Sequence, residues 1–165
     1  MPALAAMAVA DGATSFKRTI TGDMPRLMQK GLSLSGFDMD LVNFFQIVRA
    51  KGVGTMLVTV GIDGSYLADA SGIHFCPSLR VEVKGTAGAG DAFISTLSAL
   101  LASGVPVDAA MPSAAVNAAG VASEVDTQSG LMQKQALATR VAETTDQLPV
   151  TFWPWSIFGL PDQTT

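Results

Sequence analysis

The clearest hydrophobic periodicity in the chain begins after residue 37. Leu41, Phe44, Phe45 and Val48 recur at i, i+3, i+4 and i+7, which makes one face of a helix apolar. Asp38 fits its N-cap, Arg49 and Lys51 suit the negative end of the dipole, and Gly52 fits the C-cap. Residues 53–60 form a β-branched, apolar run of the kind buried in a sheet. Gly61, Asp63 and Gly64 supply a turn, and residues 65–69 and 73–76 read as a hairpin around Ala70, Ser71 and Gly72. Residues 79–83 alternate apolar and charged side chains, which predicts a half-exposed strand.

A glycine-rich segment, 85–90, leads through Asp91 into a helix that starts near Ala92, carries Phe93, Leu97, Leu100 and Leu101, and stops at Gly104. An Ala-rich helix is predicted over about 108–123 and another over about 133–145. Residues 1–36 show no sustained period and read as an irregular lead-in with room for short elements. The tail, 150–165, gathers Phe152, Trp153, Trp155 and Phe158 around Pro154. It reads as a strap over its own domain, with contact to another chain as the alternative. Between lead-in and tail, the order strand, turn, small β excursion, glycine loop and helices predicts an α/β layered domain over 37–149.

Composition narrows the classes. At 165 residues with 48% hydrophobic and 15% charged side chains, the chain can bury a core and is not a disordered polar segment. A net charge of −4 gives no basic footprint for nucleic acid and argues against an anionic membrane surface. The single Cys76 has no internal disulfide partner, and the single His74 cannot build a His-rich metal site. Residues 92–123 carry only Asp108 as a charge, but Gly104, Pro106 and Pro112 interrupt them, so a buried helix pair is expected rather than a membrane span. The apolar run 2–10 is short for a signal peptide and has no preceding Lys or Arg. A cytoplasmic protein is the expectation.

Candidate chemistry lies in the glycine segment. Gly88 and Gly90 allow close backbone approach and place N–H groups at a helix start, where unpaired amides and the dipole attract phosphate. Asp91 sits beside that cradle. A carboxylate that accepts a hydroxyl proton while amides stabilise charge is what phosphoryl transfer to an alcohol requires. The plainer alternative is that Asp91 caps the helix and the glycines make a tight turn. No Gly-Lys-Ser/Thr follows, so this is not a Walker loop, and Gly85, Gly88 and Gly90 do not have the dinucleotide spacing.

The segment Val83-Lys-Gly-Thr-Ala-Gly-Ala-Gly-Asp-Ala-Phe93 resembles the second signature of the ribokinase/PfkB family of sugar kinases, Asp-Thr-x-Gly-Ala-Gly-Asp-x-Phe. Val58-Thr-Val-Gly-Ile-Asp-Gly64 is similar to the family's strand and Thr-x-Gly-x-x-Gly turn near the ATP phosphates. Asn117 matches an asparagine that commonly lies near the adenine, with local hydrogen bonding on an Ala-rich helix as the alternative. The resemblance implies a partial ribokinase-like layered α/β fold, its mostly parallel sheet flanked by helices, corresponding to the C-terminal, nucleotide-binding half. It further implies Asp91 as catalytic base and an anion hole of amides around Gly88, Ala89, Gly90 and Asp91. Thr59, Gly61 and Gly64 would line the nucleotide phosphates, with Mg²⁺–ATP as donor and a sugar or sugar-phosphate hydroxyl as acceptor.

Three departures qualify what carries over. Gly85 replaces the signature's leading aspartate, which in many members helps to bind a monovalent cation, so that cation is left open. Lys84-Gly-Thr leans towards a phosphorylated sugar. If Ile20-Thr-Gly22 is the counterpart of the family's Leu-Thr-Gly, the metal-organising Asn-x-x-Glu positions are Ala13 and Phe16, and no metal residue is assigned. A full member also has an N-terminal half with the first strands, sugar-binding glycines and a β lid. Without it a sheet edge needs cover, from the tail, the lead-in, a second copy or a complementary chain. A non-catalytic nucleotide-binding or interaction module is the alternative function.

Overall fold

A computed structural model describes the backbone of β1 (Met7–Asp11), β2 (Gly31–Leu34) and β3 (Phe37–Asp40), and the whole of residues 41–160. The chain divides into two compact units, Met1–Phe75 with Thr151–Thr165, and Cys76–Val150.

In the first unit the apolar stripe forms α1 (Leu41–Arg49). Leu41 and Phe45 are fully buried and cluster with Met56 and Val58 of β4 (Thr55–Thr59), Tyr66 and Ala68 of β5 (Ser65–Ala68) and Ile73 of β6 (Gly72–Cys76). Burying each large apolar side chain contributes about 1.5–3 kcal/mol, which is why the stripe, rather than any cap, determines where this helix sits. Asp38 is not its N-cap. It lies within β3, which pairs antiparallel with β2, and the helix starts only at Leu41. β1 and β2 also fall inside the stretch read as an irregular lead-in.

The main sheet runs β1-β4-β5-β6-β7, with β7 at Thr151–Pro154. The expectation of a mostly parallel sheet is corrected: β1 with β4 is parallel, whereas β4 with β5 and β6 with β7 are antiparallel. Connection length explains the reversals within β4-β5-β6: residues 60–64 and 69–71 are too few for a crossover, so β5 and then β6 fold back on their predecessors. β7 returns from the second unit and adds antiparallel at the edge of β6.

The hairpin turn is built on Asp69. Its Oδ1 accepts from the Ser71 amide at 2.8 Å, the Ser71 hydroxyl at 2.6 Å and the Gly72 amide at 3.2 Å. Its Oδ2 lies 3.4 Å from His74 Nε2, and His74 packs on the Phe152 ring at 4.6 Å between centroids. The Asp69 carbonyl accepts from Trp155 Nε1 at 2.8 Å. Trp155 is fully buried beneath the Arg49 guanidinium, 4.4 Å from its ring centroid. The aromatic tail is thus an edge strand and a core anchor of its own unit, with Phe152 half exposed.

Burial alone would raise the Asp69 pKa, but His74 and the two Ser71 donors outweigh it and hold the carboxyl at about 2. A depressed carboxylate stabilises the fold above its unfolded value near 4, and that contribution disappears as pH falls towards 2. The expected loss over this window is about 1–2 kcal/mol after solvent screening. Urea unfolding at pH 5 and pH 2.5 checks it, with a smaller drop expected for Asp69→Asn.

The second unit holds α2 (Ala89–Ala102), α3 (Val107–Ala122) and α4 (Lys134–Thr144). The apolar stretch 92–123 is the α2–α3 pair. Among the described residues no helix is long and apolar enough to cross a membrane. Residues 79–83 are not a strand. Their alternation marks faces, but no strand among the described residues pairs with them, and the next amides, Lys84 and Gly85, donate to Ala122 O at the end of α3. Cys76 is buried, and burial pushes its thiol up to about 12, which suits a structural residue.

Candidate functional site

The glycine segment ends earlier than its sequence pattern predicts. α2 starts at Ala89 rather than near Ala92, with Gly88 as N-cap at φ 81°. Asp91 is therefore in the first turn, exposed, and makes no capping bond, so the capping alternative is not what its side chain does. Ala89 N–H reaches Thr86 O at 3.4 Å and Ala92 N–H bonds Gly88 O at 2.9 Å. No bond from a described residue takes the Gly90 and Asp91 amides. Two unspent donors thus lie at the positive end of a four-turn helix, with a carboxylate in the same turn.

Glycine is required at 88 on two counts. Its φ is left-handed, and a Cβ there would meet Thr127 Cβ at 3.0 Å. Gly88→Ala should cost about 1–2 kcal/mol for the backbone alone, with more from the Thr127 contact, and thermal unfolding checks it. Gly90 has ordinary helical φ and open space around its missing Cβ, so neither packing nor conformation explains it. At Gly85 a Cβ would sit 3.0 Å from Glu124 O and 3.4 Å from Val125 O, which leaves little room for the aspartate of the resembled signature.

The same 123–130 loop that abuts Gly85 and Gly88 walls a cleft of about 590 Å³. Val81, Val116, Leu131 and Met132 give it apolar surface, and Glu124 and Arg140 give it charge. This is the size of a small-molecule site, roughly 300–1,000 Å³. Sequence reasoning missed these residues. The polar run between two Ala-rich helices signals a loop, but no fixed spacing announces a cleft. Asn117 stands behind the wall, almost fully buried. It donates to Thr96 Oγ1 at 2.8 Å and accepts from Met132 N–H at 2.9 Å.

Thr59, Gly61 and Gly64 lie in the first unit. Thr59 ends β4 opposite Asp11 and Ser65, and residues 61–63 form one 3-10 turn closed by Val60 N–H to Gly64 O at 2.8 Å. Gly64 has φ 122°, which a residue with a side chain rarely adopts. The presumed metal-organising positions Ala13 and Phe16, with Ile20 to Gly22, lie outside the described residues. Among the described residues no group of three His, Cys, Asp or Glu side chains could hold a metal ion.

A family model for the pfkB family carbohydrate kinases matches residues 34–134, more than half of the chain. The chain belongs to the pfkB family. Similar solved structures include a ribokinase from Thermotoga maritima, at 21% identity and TM-score 0.54 over 59% of this chain and 33% of that one. A Vibrio cholerae fructokinase with fructose, ADP and calcium ion bound matches at 21% identity and TM-score 0.54, over 62% of this chain and 35% of its own. A nucleoside kinase of Methanocaldococcus jannaschii matches at 21% identity and TM-score 0.56, over 62% and 35%. This pfkB chain thus aligns with about a third of each of those structures. At this identity the likeness concerns the fold. A search of curated proteins finds no match.

Proposed function

We propose that the second unit of this pfkB-family chain binds ATP and carries the base for phosphoryl transfer to a carbohydrate hydroxyl. The observation that supports this reading is the first turn of α2. Its Gly90 and Asp91 amides are unspent, and the Asp91 carboxylate is exposed within the same turn. In this reading the nucleoside takes the cleft of about 590 Å³ walled by the 123–130 loop, and Gly90, with no Cβ and nothing near it, leaves the helix end open to phosphate. Bound ATP supplies the γ-phosphoryl group.

The chain's own residues do the rest. Asp91 accepts the hydroxyl proton, and the Gly90 and Asp91 amides face the charge on the transferring group, with Ala89, whose N–H already reaches Thr86 O, holding the turn that follows Gly88. Thr59, Gly61 and Gly64 carry over from the resemblance as contacts to the nucleotide phosphates. Mg²⁺ usually binds through one or two carboxylates plus substrate phosphates, and no residue is assigned to it here. The acceptor is a sugar or sugar phosphate. A complementary chain or second copy completing the fold remains part of this proposal.

The test is a panel of sugars and sugar phosphates incubated with ATP and the full chain, read as ADP release matched to phosphorylated product. Product formation that depends on Asp91 supports the reading. ADP binding without any transfer would favour the non-catalytic nucleotide-binding module, and absence of both would remove the nucleotide site altogether.

A further inference from the structure

Asn117 has only 6% of its surface exposed, and both ends of its amide are engaged inside the second unit. The Met132 N–H can only donate, which requires the Asn117 oxygen at that end and leaves the NH₂ for the Thr96 hydroxyl. Met132 and its neighbours Gly130, Leu131 and Gln133 line the cleft, whereas Thr96 lies on α2, the helix that carries Asp91. One turn along α3 the same wall is held a second time. A Cβ on Gly120 would lie 2.6 Å from Gly130 O, and one on Gly130 would overlap Gly120 O, so the two backbones are in direct contact.

We infer that Asn117 is a positioning residue that sets the cleft wall in register with α2 and acts through Met132 and Thr96 without touching the nucleotide. This rests on the reading that the cleft takes a nucleoside. A side chain contacting the base would distinguish adenine from guanine. One that holds the wall affects every occupant alike.

The experiment uses the full chain and three variants, with ADP and GDP titrated calorimetrically and amide hydrogen exchange followed in the free protein. Asn117→Leu should weaken ADP and GDP by the same factor, about tenfold for a lost pair of buried hydrogen bonds, and should speed exchange at Met132 and along 92–96. Asn117→Gln, which keeps an oxygen for the Met132 N–H and an NH₂ for the Thr96 hydroxyl at the cost of one added methylene, should recover part of the affinity. Isosteric Thr96→Val, which keeps the Met132 bond, should speed exchange along 92–96 alone. A changed ADP-to-GDP ratio in Asn117→Leu would place the residue on the base and overturn the inference. So would a lowered melting temperature with both affinities unchanged. Should neither nucleotide bind the unaltered protein, the reading of the cleft fails by itself. The exchange data then decide the bridge: faster exchange at Met132 and along 92–96 in Asn117→Leu supports it, and unchanged exchange overturns it.

Discussion

Asp91→Ala is expected to lower ATP-dependent phosphoryl transfer by about 10²- to 10⁴-fold, the range for loss of a general base. That corresponds to about 3–5 kcal/mol of barrier. The structural cost should be far smaller. Asp91 is exposed, makes no capping bond, and contributes to the fold only as an acidic residue in the first turn of α2, worth about 0.3–1 kcal/mol against the dipole. Rate and stability should therefore separate cleanly. Asp91→Asn keeps the shape and removes the charge, so it should lose as much rate at a similarly small cost in unfolding. ADP affinity should hold or rise slightly in both variants, because a negative charge leaves the neighbourhood of an anion. Initial rates, ADP titration and thermal unfolding of the same preparations check this. Transfer at the unaltered rate in Asp91→Asn would remove the base assignment.

Trp155→Ala should destabilise the protein by about 3–5 kcal/mol, a large share of the roughly 5–15 kcal/mol that stabilises an ordinary domain. Three losses coincide. The fully buried ring leaves a cavity among the core side chains of the first unit. The Asp69 carbonyl loses the indole donor at 2.8 Å. The Arg49 guanidinium loses the ring face 4.4 Å away, a contact worth about 0.5–2 kcal/mol. Trp155→Phe retains a ring and much of the packing but no N–H, so it should fall between, nearer to the unaltered protein. Urea unfolding followed by far-UV circular dichroism orders the three proteins. A loss below about 1 kcal/mol in Trp155→Ala, the size of an ordinary surface change, would mean that the tail is not part of this core.

Several elements were legible because their causes are local. The stripe of Leu41, Phe45 and Val48 has one solution, an amphipathic helix, and α1 is that helix. The run of β-branched residues before Gly61 became β4, and the Asp69 turn linked the predicted hairpin strands. The glycines and Asp91 pointed to a helix start because Gly, unlike other residues, reaches φ 81° without strain. Prediction failed where a partner was needed. Residues 79–83 alternate like a strand yet pair with no strand among the described residues, and the donors that follow go to α3 instead. Asp38 has an N-cap's chemistry, but backbone pairing with β2 claimed its segment first.

The sequence by itself determined the family, the helix that follows the glycine segment, and the candidate base, since each depends on residues within a few positions of one another. Only the tertiary structure decided the direction of the sheet, the place of Trp155 in the core, and the engagement of Asn117 with Thr96 and Met132. The last two join residues far apart in the chain. A hydrogen bond between residues 69 and 155, or between 96 and 117, leaves no period in the sequence, because its geometry exists only once the backbone has closed around it.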